Sequence, residues 1–288
     1  LTDNPEIIEF MNLLKEIPFV VGDSGKVTNF PYKLLGEKDI ETFTNEYNEK
    51  LAEGKMHDKK TGKLKMTFEE FLEKKPKVIY IGGRKYKLGM GGLHSQERRQ
   101  VIKAKGGYKL FERDVASYYP NIILNQSLYP KHLSEKFMAL YRKVVETRLK
   151  SKALKDDKSL TDEQRALHKK IDKIFKIVIN GSFGKFGSIW SILYAPDLLL
   201  QVTVTGQIGL LILVDELNKL PETEVISANT DAVVVHCSNE DYREVDKVCA
   251  YWQKVCNLTL EETPYSAMYS RDVNNYVAVK AGAGTKIK

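Results

Sequence analysis

Asp114-Val115-Ala116-Ser117-Tyr118-Tyr119-Pro120 is the stretch on which the reading of this chain turns. It closes a strand-like run that starts at Tyr108, just after the turn-forming pair Gly106-Gly107, and Pro120 ends the extended segment. A carboxylate at a strand end can meet a cation without being buried unpaired. Mg²⁺ takes oxygen ligands and binds carboxylates in company with phosphates, so Asp114 is a candidate ligand, with the Val115 carbonyl beside it. The same aspartate equally suits a surface turn, its side chain capping the next backbone groups.

A second island, Asn229-Thr230-Asp231, falls at the expected tip of a hairpin over 224–235. If extended, Asn229 and Asp231 share a face. A carboxylate beside Val225, Ile226, Val233, Val234 and Val235 needs a partner, which a metal supplies. Asn-Thr-Asp is also ordinary turn sequence. The third island, Lys176-Ile177-Val178-Ile179-Asn180, lies between the other two. Periodicity predicts a helix over 134–155 with Phe137, Leu140, Val144, Val145 and Leu149 on its apolar side. A second helix is predicted from the capping pair Thr161/Gln164 to about Asn180, burying Leu167, Ile171, Ile174, Phe175 and Val178. Gly181, Gly184 and Gly187 are expected to break it. Lys169, Lys173, Lys176 and Asn180 share one face, and Arg148 and Lys152 sit four apart on the partner helix. From Arg142 to Lys176 there are twelve Lys or Arg against six Asp or Glu. Such a surface suits a triphosphate or DNA, and it also suits a solvated helix face.

The 288 residues can bury a sizeable core in one large or two modest domains, and the net charge of +7 favours polyanionic partners. No run of 18 apolar residues exists, so no membrane span is expected. Cys237, Cys249 and Cys256 have neither CxxC spacing nor paired histidines and read as buried thiols. The chain starts at Leu1 without a signal-peptide pattern, which reads as a fragment or a trimmed chain. Residues 1–75 say little beyond a first helix around Ile7–Leu14 and a charged loop over 54–66. A short strand is expected at 77–81, and a glycine-rich loop with unusual backbone angles from Tyr86 to Ser95. Strands over 99–105 and 108–114 should flank Gly106-Gly107. Further helices are predicted at 197–219 and 241–255, with strands at 258–261 and 276–279.

In this order the islands resemble motifs A, B and C of the family B (α-like) DNA polymerases. The family shows Asp-x-x-Ser-Leu-Tyr-Pro, then Lys-x-x-x-Asn-Ser-x-Tyr-Gly, then Tyr-x-Asp-Thr-Asp-Ser. Here Tyr118 stands for the leucine, Gly181 for the serine, Phe183 for the tyrosine and Asn229 for the first aspartate of the third motif. Tyr86-Lys87-Leu88-Gly89 and the glycines after it resemble the Tyr-x-Gly-Gly loop of phage members. Thr203-x-x-Gly206-Gln207 is similar to their Thr-x-x-Gly-Arg element, and Asn274-x-Tyr276 to Lys-x-Tyr.

The resemblance spans about residues 86–280 and implies an α+β fold: an antiparallel palm sheet with packed helices, a helical-hairpin fingers subdomain, and a thumb largely absent from this chain. It divides the chain into an N-terminal region (1–85), a first palm part (86–130), fingers (131–187), and a second palm part leading toward a thumb (188–288). Asp39-Ile40-Glu41 does not read as the buried strand of an exonuclease motif. The implied reaction is nucleotidyl transfer from dNTPs to a primer 3′-hydroxyl on primer–template DNA, with two Mg²⁺ ions or Mn²⁺ as the alternative. Asp114 and Asp231 would be catalytic and, with Val115, metal-binding. Val115, Ser117, Tyr118, Tyr119, Arg148, Lys152, Lys176, Asn180 and Phe183 would bind the dNTP, with Tyr119 as a steric gate against ribose. Tyr86, Gly89, Gly91, Gly92, Thr203, Gln207 and Tyr276 would bind DNA. Missing exonuclease and thumb segments, or other replication proteins, would be partners in the cytoplasm of a phage-infected bacterial host. A catalytically silent nucleic-acid-binding subunit is the rival reading, prompted by Asn229, Gln207 and Asn274.

Overall fold

The structure, a computed structural model, describes residues 2–27, 30, 34–282 and 284–287. It divides into two compact units, one made of Leu1–Val20, Val27–Ala116 and Gly206–Lys288, the other of Val21–Lys26 and Ser117–Thr205. The first unit opens with α1 (Pro5–Glu16), whose N-cap Asn4 accepts from the amides of Glu6 and Ile7 and whose inner face buries Ile7 and Phe10. α2 (Glu37–Ala52) and α3 (Phe68–Glu73) follow, and Tyr47, Met56 and Phe71 form a small satellite core with them. Asp39 accepts from the Gly36 amide at 3.1 Å and from Lys77 Nζ at 2.5 Å, so Asp39-Ile40-Glu41 is a capped helix start. Then come β1 (Lys77–Ile81), β2 (Arg84–Leu88), β3 (His94–Gln96), β4 (Gln100–Lys103) and β5 (Tyr108–Val115).

The second unit holds α4 (Tyr118–Asn125), α5 (Lys136–Leu154) and α6 (Asp162–Lys185). α6 starts on the expected box, with Gln164 N–H donating to Thr161 Oγ1 and Thr161 N–H to Gln164 Oε1. Contrary to expectation, it runs through Gly181 and Gly184, ending before Gly187. A glycine costs a helix interior roughly 0.5–1 kcal/mol, too little to end one that is otherwise hydrogen-bonded. The expected apolar stripes are also displaced. α5 buries Tyr141 and Val145 while Leu140 and Leu149 are exposed, and in α6 only Ile179 is buried while Leu167, Ile174 and Val178 are exposed.

α7 (Pro196–Asn218) runs from the second unit back into the first, followed by β6 (Thr223–Asn229), β7 (Ala232–Ser238), α8 (Tyr242–Cys256), β8 (Leu260–Asp272), β9 (Asn275–Lys280) and β10 (Thr285–Ile287). By length and composition alone α7 could cross a membrane, an apolar stretch that the expectation of no span passed over. Here Leu210, Leu211, Leu213, Val214 and Leu217 are core residues of the first unit.

The strands form one antiparallel sheet in the order β1-β2-β3-β6-β7-β5-β8-β9-β10, with β4 on β8. β4 and β5 are the strands expected on either side of Gly106-Gly107, but they are not partners in the sheet. Instead β5 lies between β7 and β8, and the two glycines, at φ 63° and 87°, only turn the chain. Leu110, Ile226, Val234, Tyr265, Met268, Tyr276 and Ala278 make a core on this sheet. Cys237 and Cys249 are buried free thiols, and Cys256 is half-buried.

Candidate active site

β5 carries Asp114 one residue from its end, opposite Ala232 of β7 and Glu261 of β8. β6 and β7 meet in the turn Thr230-Asp231, closed by the pair Asn229–Ala232. The Val115 amide donates to the Asp231 carbonyl at 2.7 Å, joining the β5 end to that turn. Two aspartates 117 positions apart in sequence thus belong to one end of one sheet. Asp231 is exposed and Asp114 half-buried. Burial, then the neighbouring charge of Asp231, then that of Glu112 push the Asp114 carboxyl up to about 6. Glu112 is itself buried, accepting from Tyr265 Oη and Lys286 Nζ, both at 2.7 Å. This much negative charge on one sheet end could hold a divalent cation, with Asp114, Asp231 and the Val115 carbonyl as candidate oxygen donors.

The raised value has a consequence for stability. Folded Asp114 holds a proton to about pH 6, whereas its ordinary value is 3.8. Stability therefore falls as pH rises from about 4 to 6, and the deficit persists above that window. Asp114→Asn should raise the melting temperature at pH 7.5 and change it little at pH 4, as read by calorimetry at the two pH values. An equal shift at both would contradict the assignment of this charge.

The turn itself is strained. Thr230 has φ 60°, unusual for a β-branched residue, and the Asp231 amide donates to the Asn229 carbonyl at 2.7 Å, a γ-turn hydrogen bond. Asn229 does not stand free to serve a metal. Its Nδ2 donates to the Val273 carbonyl at 3.0 Å and to Asn274 Oδ1 at 3.3 Å, and its Oδ1 accepts from Thr230 Oγ1. An aspartate there would lose both donated bonds and face a carbonyl oxygen. Asn229→Asp should cost about 1–3 kcal/mol by urea unfolding and should not speed any reaction of the site. A stable, faster variant would show that the amide is not needed.

In the second unit, Ser117 caps α4 with a left-handed backbone, φ 51° and ψ 50°. Its Oγ accepts from Arg148 Nη1 at 2.7 Å, and Arg148 Nε lies 3.3 Å from Asp172. Burial pushes the Asp172 carboxyl up, but the cations of Lys155 and Arg148 outweigh it and hold it below its ordinary range. Tyr119 stacks on Tyr118 (5.8 Å between centroids) and leans on Phe183 at 4.6 Å. Tyr118 is buried, Lys152 and Phe183 are half-buried, and Lys169, Lys173, Lys176 and Asn180 are exposed along α6.

The side chains of Tyr86, Thr203, Gln207 and Tyr276 lie in the interior, so this conformation offers DNA none of those rings or polar heads. Tyr86 to Leu88 are strand rather than loop, and Gly89, Gly91 and Gly92 lack the positive φ expected of them. What requires glycine is closeness at Gly92, where a Cβ would sit 2.5 Å from Thr230 Oγ1. Among the described residues, Asp3, Asp215 and Glu216 form the one three-acid group compact enough for a metal. They are elsewhere and already hold Lys219, with Asn4 and Thr2 also on Asp215.

Over 98% of its length the chain superposes on the family B DNA polymerase of the archaeon Pyrobaculum calidifontis, with a TM-score of 0.52 and 16% identity. The fold resembles part of that polymerase. In sequence, the chain is 27% identical over 132 residues to DNA polymerase 1 of Sulfolobus acidocaldarius, which covers 45% of this chain and 15% of that protein. It spans 36% of the Pyrobaculum chain. No protein-family model matches it.

Proposed function

We propose that this chain is the palm-and-fingers portion of a template-directed DNA polymerase of the phage type. The observation that carries the reading is the Val115–Asp231 backbone hydrogen bond, which ties the β5 end bearing Asp114 to the turn bearing Asp231, close enough for the Asp231 charge to act on Asp114. The fold and the sequence likeness to archaeal polymerases support it. The retained pair of aspartates argues against a catalytically silent subunit.

In this reading Asp114, Asp231 and the Val115 carbonyl hold Mg²⁺, which when bound activates the primer 3′-hydroxyl and neutralises charge developing on the phosphates. Lys176, Arg148 and Lys152 hold the triphosphate, with Asp172 and Ser117 fixing the Arg148 guanidinium. Asn180 and Phe183 line the new base pair, and the backbone of the loop from Gly89 to Gly92 meets the template. Primer extension by the intact protein with dNTPs and Mg²⁺ tests the reading, and no extension would sink it. Lys176→Ala should raise the KM for dNTP and slow insertion, each by about tenfold or more, with primer–template affinity little changed. Weakened DNA binding with normal dNTP use would move that lysine to the DNA.

A further inference from the structure

We infer that Gln207 and Gly92 are positioning residues for Asp231, acting through the backbone of the glycine loop; the catalytic part of this rests on the polymerase reading. Gln207, on α7, is 1% exposed. Its carboxamide makes three hydrogen bonds to the loop. Oε1 accepts from the Gly89 amide at 3.0 Å, and Nε2 donates to the carbonyls of Gly89 at 3.0 Å and Gly91 at 2.9 Å. A side chain that completes its donors and acceptors on two neighbouring peptides fixes their path. The loop then delivers Leu93, fully buried, whose carbonyl accepts from the Thr230 amide at 2.8 Å. Immediately before it, Gly92 packs so closely on the turn that a Cβ would lie 2.7 Å from the Thr230 Cα, which is backbone and cannot swing aside.

The turn needs holding. A threonine at φ 60° in a three-residue turn is strained and persists only where its surroundings determine it. Three groups do so. Leu93 takes the Thr230 amide, Asn229 ties the preceding residue to Val273, and Val115 takes the Asp231 carbonyl. The first depends on the loop, and the loop depends on Gln207. Removing the carboxamide frees the loop, and adding a methyl at Gly92 pushes the turn. Either displaces Asp231 without touching it.

The test compares the wild type with Gln207→Met, which keeps the side-chain volume and removes all three hydrogen bonds, and with Gly92→Ala. Phe71→Leu, in the satellite core, serves as a variant destabilised elsewhere. Amide hydrogen exchange of the peptide around Thr230 and single-turnover insertion are both read well below the melting temperatures, with the Mg²⁺ concentration varied. The expected result is faster exchange at Thr230 and about 10–100-fold slower insertion in both loop variants, the scale of an ångström-sized misplacement. They should also require more Mg²⁺, with dNTP KM nearly unchanged, while Phe71→Leu shows neither effect. Unchanged exchange at Thr230 in Gln207→Met overturns the brace. Faster exchange with wild-type insertion and Mg²⁺ requirement overturns the positioning role. Faster exchange in a protein whose wild type extends no primer rejects the polymerase reading and the positioning role with it, while still showing the mechanical link.

Discussion

On the proposed polymerase reading, Asp114→Asn and Asp231→Asn should each abolish nucleotide insertion while the protein stays folded. A carboxylate that shares a divalent cation supplies several kcal/mol of charge stabilisation, so an amide in its place costs about a thousandfold or more in rate. The two variants differ in stability. Asp114 is half-buried among Asp231, Glu112 and Glu261, so neutralising it relieves repulsion, whereas Asp231 is exposed and gains little. Loss of activity with a higher melting temperature at neutral pH is therefore the signature expected of Asp114→Asn. A dead variant that is also unfolded would say nothing of chemistry, and circular dichroism beside the assay separates the two.

The second large effect concerns the sugar. The Tyr119 ring stacks on Tyr118 and leans on Phe183, and Pro120 fixes the backbone after it. A ring held from two sides excludes a 2′-hydroxyl by overlap. Tyr119→Val should admit ribonucleotides, narrowing the preference for dNTP by about 10–200-fold, the range available to a shape-selective pocket. Tyr119→Phe keeps the ring and should keep the preference. Single-nucleotide insertion with dNTP and rNTP in parallel is the measurement. An unchanged preference in an active Tyr119→Val protein would remove the gating role.

Much of the fold could be read locally. The box Thr161/Gln164 marked the start of α6, and the valine-rich runs around Asn229 marked β6 and β7. The box Thr67/Glu70, which caps α3, carries the same signal and went unread. The strand expected over 258–261 is the start of a longer one: β8 runs from Leu260 to Asp272, with Pro264 opposite Phe111. Pro264 sits just outside the β8–β9 register, which begins at Tyr265–Lys280 beside an irregularity at Tyr265/Ala267, a place where the missing donor disrupts no regular ladder. The stripes on α5 and α6 were misread for another reason. Periodicity identifies an apolar face but not what covers it, and Leu140, Leu167 and Ile174 have little against them.

The candidate site was legible where a residue's chemistry is borne by its own side chain, as with Asp114 and Asp231. It was not legible where a residue works through backbone. Gln207 stands where the element it resembles has an arginine, and sequence offered no sign that its head turns inward to three loop groups. Asn229 stands where the resembling motif has an aspartate and read only as a lost charge, whereas in the structure its amide donates to the Val273 carbonyl.

Single-turnover insertion of one dNTP into a primer–template is the most direct test, run with the wild type, Asp114→Asn, Asp231→Asn and the double variant across a Mg²⁺ titration. If the two carboxylates act as one metal-binding unit, each single variant falls to background and the double variant is no worse. Insertion by either single variant at a near wild-type rate, or losses that multiply as for independent groups, would contradict a shared site.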